Sequence, residues 1–294
     1  MNARFCGVGC ALVTPFRNGQ ADFGAFRTLI DRQTAAGTEA LFVLGSTGEP
    51  SALTEGEMCD LVGCARERAA KSVPVIAGVC ANATQTAVRR ARLLRAAGAD
   101  ALLCVTPYYN RPNQEGLIRH FTEIAEAADA PIILYNVPSR TGVSLSAETV
   151  ETLSHVTNIR GLKQASADIS ETAAVVSACG EDFFAYAGND EQIPAAIALG
   201  AKGAVSVVAN VAPEETVSLT RAALNGDRDE VMRLYYRLWP LIRALGCDAN
   251  PIPVKAALHM MGLISDETRL PLTGLSDEKR GPLLKALRET GLID

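Results

Sequence analysis

The sequence predicts an α/β protein, a (β/α)8 TIM barrel followed by a C-terminal helical extension. Short apolar runs rich in β-branched residues alternate with amphipathic helical patterns over about the first 225 residues. Eight such runs occur, each followed by a helical stretch, which is the number that this barrel requires. After Asn225 the alternation stops and only helical patterns follow.

The predicted strands are short and regularly spaced. They span residues 8–13, 40–44, 75–78, 101–105, 132–135, 159–163, 183–187 and 203–207. Helical patterns lie between them, for example at residues 23–36, 55–70, 83–97 and 116–128. Glycine often closes a helix before the next strand, as at Gly37, Gly98 and Gly200.

The helical extension has no low-complexity linker before it. Its segments are residues 229–245, a Pro-marked break at residues 250–253, a helix through His259, and residues 277–289. We therefore predict a barrel domain with the active site at residues 1–225 and an extension at residues 226–294. A doubly wound open sheet is the alternative, but no Gly-x-Gly-x-x-Gly follows the first strand to support it.

Composition limits the classes of function. The 294 residues are 48% hydrophobic and carry a net charge of −5 without a basic cluster, which argues against nucleic acid or an anionic membrane as partner. The eight cysteines include no Cys-x-x-Cys pair, and most lie in apolar segments, as free thiols of a reducing cytosol do. No apolar run is long enough for a membrane span. We expect a soluble, cytoplasmic protein.

Lys163 occupies an unusual position among the six lysines of the chain. It ends the apolar run of residues 159–163, whereas Lys202 lies in a Gly-flanked turn and the other four lie on helical stretches. Partial desolvation at such a place favours the neutral amine, which can attack a carbonyl. On position alone, a lysine that reaches out of the strand end or pairs with a carboxylate is the more common case.

Hydroxyl-bearing, amide and charged side chains follow several of the predicted strands. In a barrel of this kind the active site lies at these strand ends. The strings are Gly45-Ser46-Thr47-Gly48-Glu49, Thr106-Pro107-Tyr108-Tyr109-Asn110, Tyr135-Asn136-Val137-Pro138-Ser139-Arg140-Thr141-Gly142, Lys163, and Gly188-Asn189-Asp190.

These strings resemble the dihydrodipicolinate synthase family, within the superfamily of pyruvate-dependent class I aldolases and lyases. The resemblance runs from Gly7 to the string that ends at Lys255, and so covers essentially the whole chain. Gly-Ser-Thr-Gly-Glu and the lysine are shared across the superfamily. Residues 108–112 and 135–142 are similar to the synthases in particular.

The resemblance implies a mechanism in which Lys163 forms a Schiff base with pyruvate. The enamine then attacks the aldehyde of L-aspartate-4-semialdehyde, and cyclisation releases the product. No cofactor is implied, because the lysine itself is the electron sink. Protons must move among amine, hydroxyl and water at each step, and Ser46, Tyr109 and Tyr135 stand where the family has its relay of hydroxyl groups.

The resemblance also implies substrate-binding residues and an assembly. Arg140 would hold the carboxylate of the semialdehyde, for which a planar, permanently charged guanidinium is well suited. Thr47 would hold the pyruvate carboxylate, and Gly188 and Val205 also belong to the substrate site. Tyr109 would reach into a neighbouring subunit, so we expect a homo-oligomer, most simply a dimer of dimers.

Two residues depart from the commonest pattern of the family. Ser46 stands where the synthases usually have threonine; it keeps the hydroxyl but loses the methyl group that restricts the rotamer, so the relay could be slower. Gln164 stands where a glutamate usually follows the lysine, which removes a charge from the residue next to it.

Three rival functions remain open at this stage. Another Schiff-base enzyme, acting on N-acetylneuraminate or a 2-keto-3-deoxy sugar acid, would favour a neutral group in place of Arg140. A metal-dependent aldolase needs a cluster of metal ligands, whereas His120, His155 and His259 fall on or beside helical stretches. A non-catalytic pyruvate-sensing barrel would be marked by loss of Lys163 or the tyrosines, which are present.

We predict that lysine inhibits this protein weakly or not at all. In lysine-sensitive members the effector lies behind the loop after the second strand, near imidazoles and a carboxylate; Glu55, Met58 and Thr86 occupy those positions here. Asn82 and Tyr108 remain, but Asn82 can cap the helix that starts at residue 83. Loss of the carboxylate partner of a desolvated ammonium costs on the order of several kcal/mol.

Initial rates measured against lysine at saturating pyruvate test this prediction. Half inhibition below roughly 1 mM, which corresponds to an affinity of about 4 kcal/mol, would contradict it. Glu55 is the residue that could supply a negative charge to the ammonium group of bound lysine, from a direction other than that of the missing carboxylate.

Overall fold

The computed structural model describes residues 5–71 and 73–294. Within that part, eight parallel strands close into a barrel in sequence order, and the last strand pairs with the first. They are β1 (Gly7–Ala11), β2 (Ala40–Val43), β3 (Val75–Val79), β4 (Ala101–Val105), β5 (Ile132–Asn136), β6 (Ile159–Gln164), β7 (Phe184–Ala187) and β8 (Gly203–Ser206). The predicted barrel is confirmed.

Helices surround the barrel and continue beyond it. They are α1 (Phe23–Ala36), α2 (Glu55–Arg68), α3 (Thr84–Ala96), α4 (Gln114–Ala128), α5 (Pro138–Thr141), α6 (Ala147–Ser154), α7 (Ser170–Ala178), α8 (Ile193–Ala198), α9 (Pro213–Leu224), α10 (Arg228–Leu245), α11 (Ile252–Met260) and α12 (Asp277–Glu289). Across the described residues, none of these helices is both long and apolar enough to cross a membrane.

Element boundaries agree with the sequence prediction to within about two residues, and local contacts explain the differences. The first strand ends before Val13 because the Val13 N–H donates to Asn210 Oδ1 at 3.1 Å instead of continuing the ladder. The last strand ends before Val207 because that N–H donates to the Asp190 carboxylate at 3.0 Å. α4 begins earlier than predicted because the Asn113 side chain caps it, accepting from the Gly116 N–H.

The barrel has an inner and an outer layer of packing. An inner cluster, which includes Phe42, Leu103, Tyr135, Tyr186 and Val205, fills the barrel. A larger cluster lies between the strands and the surrounding helices. Because successive side chains of a strand point to opposite faces, each strand contributes to both layers.

A small hairpin before α1 was not predicted. Its strands, Phe16–Arg17 and Gln20–Ala21, are joined by Asn18 and Gly19, whose φ angles are 53° and 76°. Asn-Gly at positive φ is the sequence preferred in a tight hairpin turn. The hairpin places the fully buried Phe16 against two cations of the C-terminal extension, Lys255 and Arg269.

The burial of Lys255, in the extension, differs from the sequence prediction. The sequence predicts an ordinary lysine on an amphipathic helix, and α11 does contain it, but its side chain is fully buried. Lys255 forms an ion pair with the Glu49 carboxylate, donates to the Glu267 carbonyl at 2.9 Å and lies 4.1 Å from the centre of the Phe16 ring. Burial nevertheless lowers the pKa of Lys255. This ion pair ties the extension to the loop after β2.

Candidate active site

A cavity of about 340 Å³ opens at the carboxyl ends of the strands. Its wall comes from the ends of β2, β3, β4 and β5, together with Asn250, Arg269 and neighbouring residues of the extension. Of the predicted site residues, Ser46, Tyr135 and Arg140 lie on this wall. The cavity therefore takes residues from both predicted domains, while the division between residues 225 and 226 stays a prediction.

Lys163 and Tyr135 are register partners on adjacent strands. The Lys163 Nζ lies 4.5 Å from the centre of the Tyr135 ring, and both side chains are buried. Lys163 itself is not on the cavity wall, so Tyr135 is its link to the cavity. Within residues 5–71 and 73–294, the Lys163 amine has no hydrogen bond or ion pair, in contrast to the amine of Lys255. Lys163 is thus the buried lysine whose amine is not held by a carboxylate.

The loop after β2 has a constrained backbone. Leu44 and Glu49, which flank the short turn Ser46–Gly48, have φ angles of 63° and 53°. Gly78 permits the close approach of this loop, since a Cβ there would lie 2.0 Å from the Leu44 carbonyl oxygen. Left-handed conformations of non-glycine residues persist where the surroundings enforce them, often at functional sites. At one end of this loop, the buried Glu49 is held by its ion pair with Lys255.

Asn250 connects the two predicted carboxylate-binding residues. Its Nδ2 donates to Thr47 Oγ1 at 2.9 Å, and its carbonyl oxygen accepts from Arg140 Nη2 at 2.9 Å. Thr47 is buried, whereas Arg140 is exposed at the cavity mouth. Sequence reasoning assigned no role to Asn250. The Asn-Pro-Ile-Pro string indicates a break in the helical pattern, but it does not reveal which distant residues form hydrogen bonds with the asparagine.

Tyr108 and Tyr109 point in different directions. Tyr108 is half-buried and lines the cavity together with Cys80, and burial raises the pKa of Tyr108. Tyr109 has a φ of 76° and is 90% exposed. The structure therefore does not bring Tyr109 together with Ser46 and Tyr135 in the cavity of its own chain.

Gly188 and Val205 lie near the other predicted residues without lining the cavity. Val205 is fully buried in the inner cluster that contains Tyr135. The Gly188 N–H donates to the Gln164 carbonyl at 2.7 Å, and a Cβ at Gly188 would lie equally close to that oxygen. Both residues therefore shape the barrel around Lys163, and their substrate contacts stay predictions.

Gln164 points away from the amine of Lys163. Its buried side chain accepts from Asn136 Nδ2 at 2.9 Å and donates to Glu171 Oε2 at 3.3 Å, on the outer face of the barrel. The residue that departs from the family pattern therefore does not change the charge on the side of the strand where Lys163 meets Tyr135.

The residues at the expected lysine-binding positions interact with other parts of the same chain. Glu55 pairs with Arg89 at 2.6 Å and Arg90 at 3.4 Å, so its charge is already compensated. Met58 is buried. The prediction that Asn82 caps a helix is wrong: Ala83 occupies the cap position of α3, and Asn82 Nδ2 donates instead to the Tyr108 carbonyl at 3.3 Å.

The three histidines lie on or beside helices, as the sequence predicts. His120 is buried in α4, where burial lowers its pKa to about 4; His155 follows α6, and His259 lies in α11. Among the described residues, no group of three His, Cys, Asp or Glu side chains could hold a metal ion. All eight cysteines, each in the described part, are free thiols.

Comparisons with known proteins agree with this geometry. The profile of the dihydrodipicolinate synthetase family matches residues 4–290. The 4-hydroxy-tetrahydrodipicolinate synthase of Alkaliphilus oremlandii is 43% identical over 289 residues, which cover 98% of this chain and 100% of that protein. The dihydrodipicolinate synthase structure from Thermotoga maritima superposes with a TM-score of 0.97 at 40% identity, covering 98% of this chain and 99% of that one.

A further solved structure shows a relative together with a small molecule. The chloride-inhibited dihydrodipicolinate synthase from Acinetobacter baumannii, complexed with pyruvate, has a TM-score of 0.96 at 40% identity, with coverage of 98% of this chain and 99% of that one. The match of family profile, curated relatives and solved structures extends over nearly the full length of the sequence. The chain belongs to the dihydrodipicolinate synthetase family.

Proposed function

We propose that the protein condenses pyruvate with L-aspartate-4-semialdehyde to give 4-hydroxy-tetrahydrodipicolinate, a step of lysine and diaminopimelate biosynthesis. The observation that carries this proposal is the buried Lys163 amine, which has no carboxylate partner among the described residues and lies beside Tyr135 at a cavity. Relatives with the name 4-hydroxy-tetrahydrodipicolinate synthase and a related structure with pyruvate support it. These relatives favour the synthase over the sugar-acid aldolases.

In the proposed reaction, the Lys163 amine attacks C2 of pyruvate, and loss of water gives the imine. Loss of a proton from C3 gives the enamine, whose C3 forms a bond with the aldehyde carbon of the semialdehyde. The amine of the semialdehyde then attacks the imine carbon and displaces Lys163. One water is released overall and no redox step occurs, so the chemistry needs no electron carrier.

The side chains around the cavity suit these steps. Tyr135, in contact with Lys163, would move protons to and from the substrate oxygen, and Ser46 on the same wall would continue the relay. Thr47 and Arg140, linked through Asn250, would bind the two carboxylates. The bridge through Asn250 sets the separation of these two groups, which favours the productive orientation of both substrates.

We also propose a cytoplasmic homo-oligomer built on a dimer. The ring of Tyr109 is 90% exposed on a left-handed backbone, and in this proposal it would enter the cavity of a partner subunit. An exposed aromatic ring of this size is typical of residues at protein interfaces. The free thiols of all eight cysteines agree with a reducing compartment.

Treatment with pyruvate and borohydride should place a reduced three-carbon adduct on Lys163 and inactivate the protein. Peptide mass analysis locates the adduct. Lys202→Ala, at a half-buried position directly before β8 and off the cavity wall, is the control and should be labelled as the wild type is. An adduct on Lys255, or full turnover by Lys163→Ala, would exclude the proposed mechanism.

Arg140→Ala should raise the KM for the semialdehyde by about 10- to 150-fold, because a charge-assisted contact contributes about 1.5 to 3 kcal/mol. The KM for pyruvate should change far less. Arg119→Ala, which removes an exposed arginine from α4, serves as the matched control. Steady-state kinetics with each substrate varied in turn make the comparison. An equal effect on both substrates would indicate a structural role for Arg140.

Mixing two inactive variants, Tyr109→Phe and Lys163→Ala, should partly restore activity after co-assembly. Some mixed sites then combine an intact Lys163 from one subunit with an intact Tyr109 from the other. Activity is assayed before and after dissociation and reassembly, with each variant reassembled alone as the control. A fully active monomer, observed by sedimentation at the assay concentration, would contradict the shared site.

A further inference from the structure

A buried polar network lies directly behind the Tyr135 and Lys163 pair. Asn136 and Gln164 follow these residues in their strands and are themselves register partners. Because successive side chains alternate between the faces of a strand, Asn136 and Gln164 occupy the outer face while Tyr135 and Lys163 occupy the inner one. The exposed fractions of Asn136 and Gln164 are 0% and 2%, so their amides depend on protein partners.

The hydrogen bonds of this network join four elements. Asn136 Nδ2 on β5 donates to Gln164 Oε1 on β6 and to Ser144 Oγ, both at 2.9 Å, and Asn136 Oδ1 accepts from the Leu145 N–H at 3.1 Å. Gln164 Nε2 and Ser144 Oγ each donate to Glu171 Oε2 on α7 at 3.3 Å. The amides therefore fix β5, β6, α7 and the segment before α6 against one another.

The direction of each hydrogen bond depends on the amide at position 164. Gln164 accepts from Asn136 and donates to Glu171, and only a side chain with both an acceptor and a donor can do so. Within the described residues, Glu171 has no ion pair with a lysine or arginine. Its partners are neutral donors, Gln164 and Ser144, with Asn136 Nδ2 farther away at 3.5 Å.

We propose that Gln164 is a positioning residue: its amide couples Asn136 to Glu171 and thereby holds Lys163 against Tyr135 on the opposite face. A carboxylate at position 164 could not donate to Glu171 and would place two negative charges together in a largely buried site. One of the two carboxyls would then have to bind a proton or the network would separate. This inference rests on the proposed role of Lys163.

Most of the side chains around Gln164 do not titrate, so the expected pH dependence has a single source. Asn136 on β5, Ser144 in the following segment and Gln114 on α4, which donates to the Ser144 carbonyl, do not titrate. Asp168, before α7, accepts from the Ser170 N–H. Glu171 is thus the titratable partner in the network. In Gln164→Glu, proton binding at low pH restores a donor, so the defect should shrink as the pH falls.

The test compares kcat and pyruvate KM of Gln164→Glu with the wild type from pH 6 to pH 9, after circular dichroism has verified the fold. We expect kcat at pH 8 to fall by about 10-fold or more, pyruvate KM to change by less than about 3-fold, and the defect to diminish toward pH 6. The double variant Gln164→Glu/Glu171→Gln restores a donor and acceptor pair, and should return to within about 3-fold of the wild type at every pH.

Gln85→Glu is the matched control. Gln85 Nε2 donates to Glu123 Oε1 at 2.7 Å, so the same substitution creates the same pair of carboxylates, but on the exposed surface of α3 and α4. This control should keep wild-type kcat at every pH, since solvent screens the two charges.

Wild-type kinetics for Gln164→Glu at every pH, or a defect that the double variant does not repair, would overturn the proposal. If Gln164→Glu does not fold, the double variant decides: a folded, active double variant supports the coupling, and an unfolded or inactive one refutes it. Absence of a borohydride-trapped adduct in the wild type would instead refute the role of Lys163, so the two failures are distinguishable.

Discussion

The parallel register between β5 and β6 is the constraint on which the site depends. It places Tyr135 beside Lys163 on the inner face and Asn136 beside Gln164 on the outer face. A shift of either strand by one residue would exchange the faces of that strand and turn Lys163 or Tyr135 toward the helices. The amides on the outer face make such a shift costly, because they are buried and would lose their partners.

The two buried lysines differ in the groups that surround their amines. Lys255 is held by the Glu49 carboxylate and the Glu267 carbonyl, and so anchors the strained loop that carries Ser46 and Thr47. Lys163 has an aromatic ring as its neighbour and, in the part of the chain that the structure describes, no carboxylate that pairs with it. An amine that is buried without a carboxylate is free for covalent chemistry, whereas a paired one is committed to the fold.

Much of this arrangement could be predicted from the sequence, because parallel barrel strands are continuous apolar runs and the residues after them face the site. The position of Lys163 at the end of such a run is unusual, but its proposed role follows from the resemblance of the strand-end strings to the family and not from position alone. The burial of Lys255 and the bridge through Asn250 could not be predicted, since both depend on contacts about 200 residues apart in the chain. The cap assigned to Asn82 failed because the Tyr108 carbonyl competes for its amide. The proposed role of Tyr109 depends on a second chain.

A crystal structure of the protein soaked with pyruvate tests the central claim most directly. The account predicts continuous density between Lys163 Nζ and C2 of pyruvate, with the pyruvate carboxylate at Thr47 and Tyr135 next to the new bond. Pyruvate joined to Lys255, or bound without a covalent bond while the Lys163 amine stays free, would contradict the account.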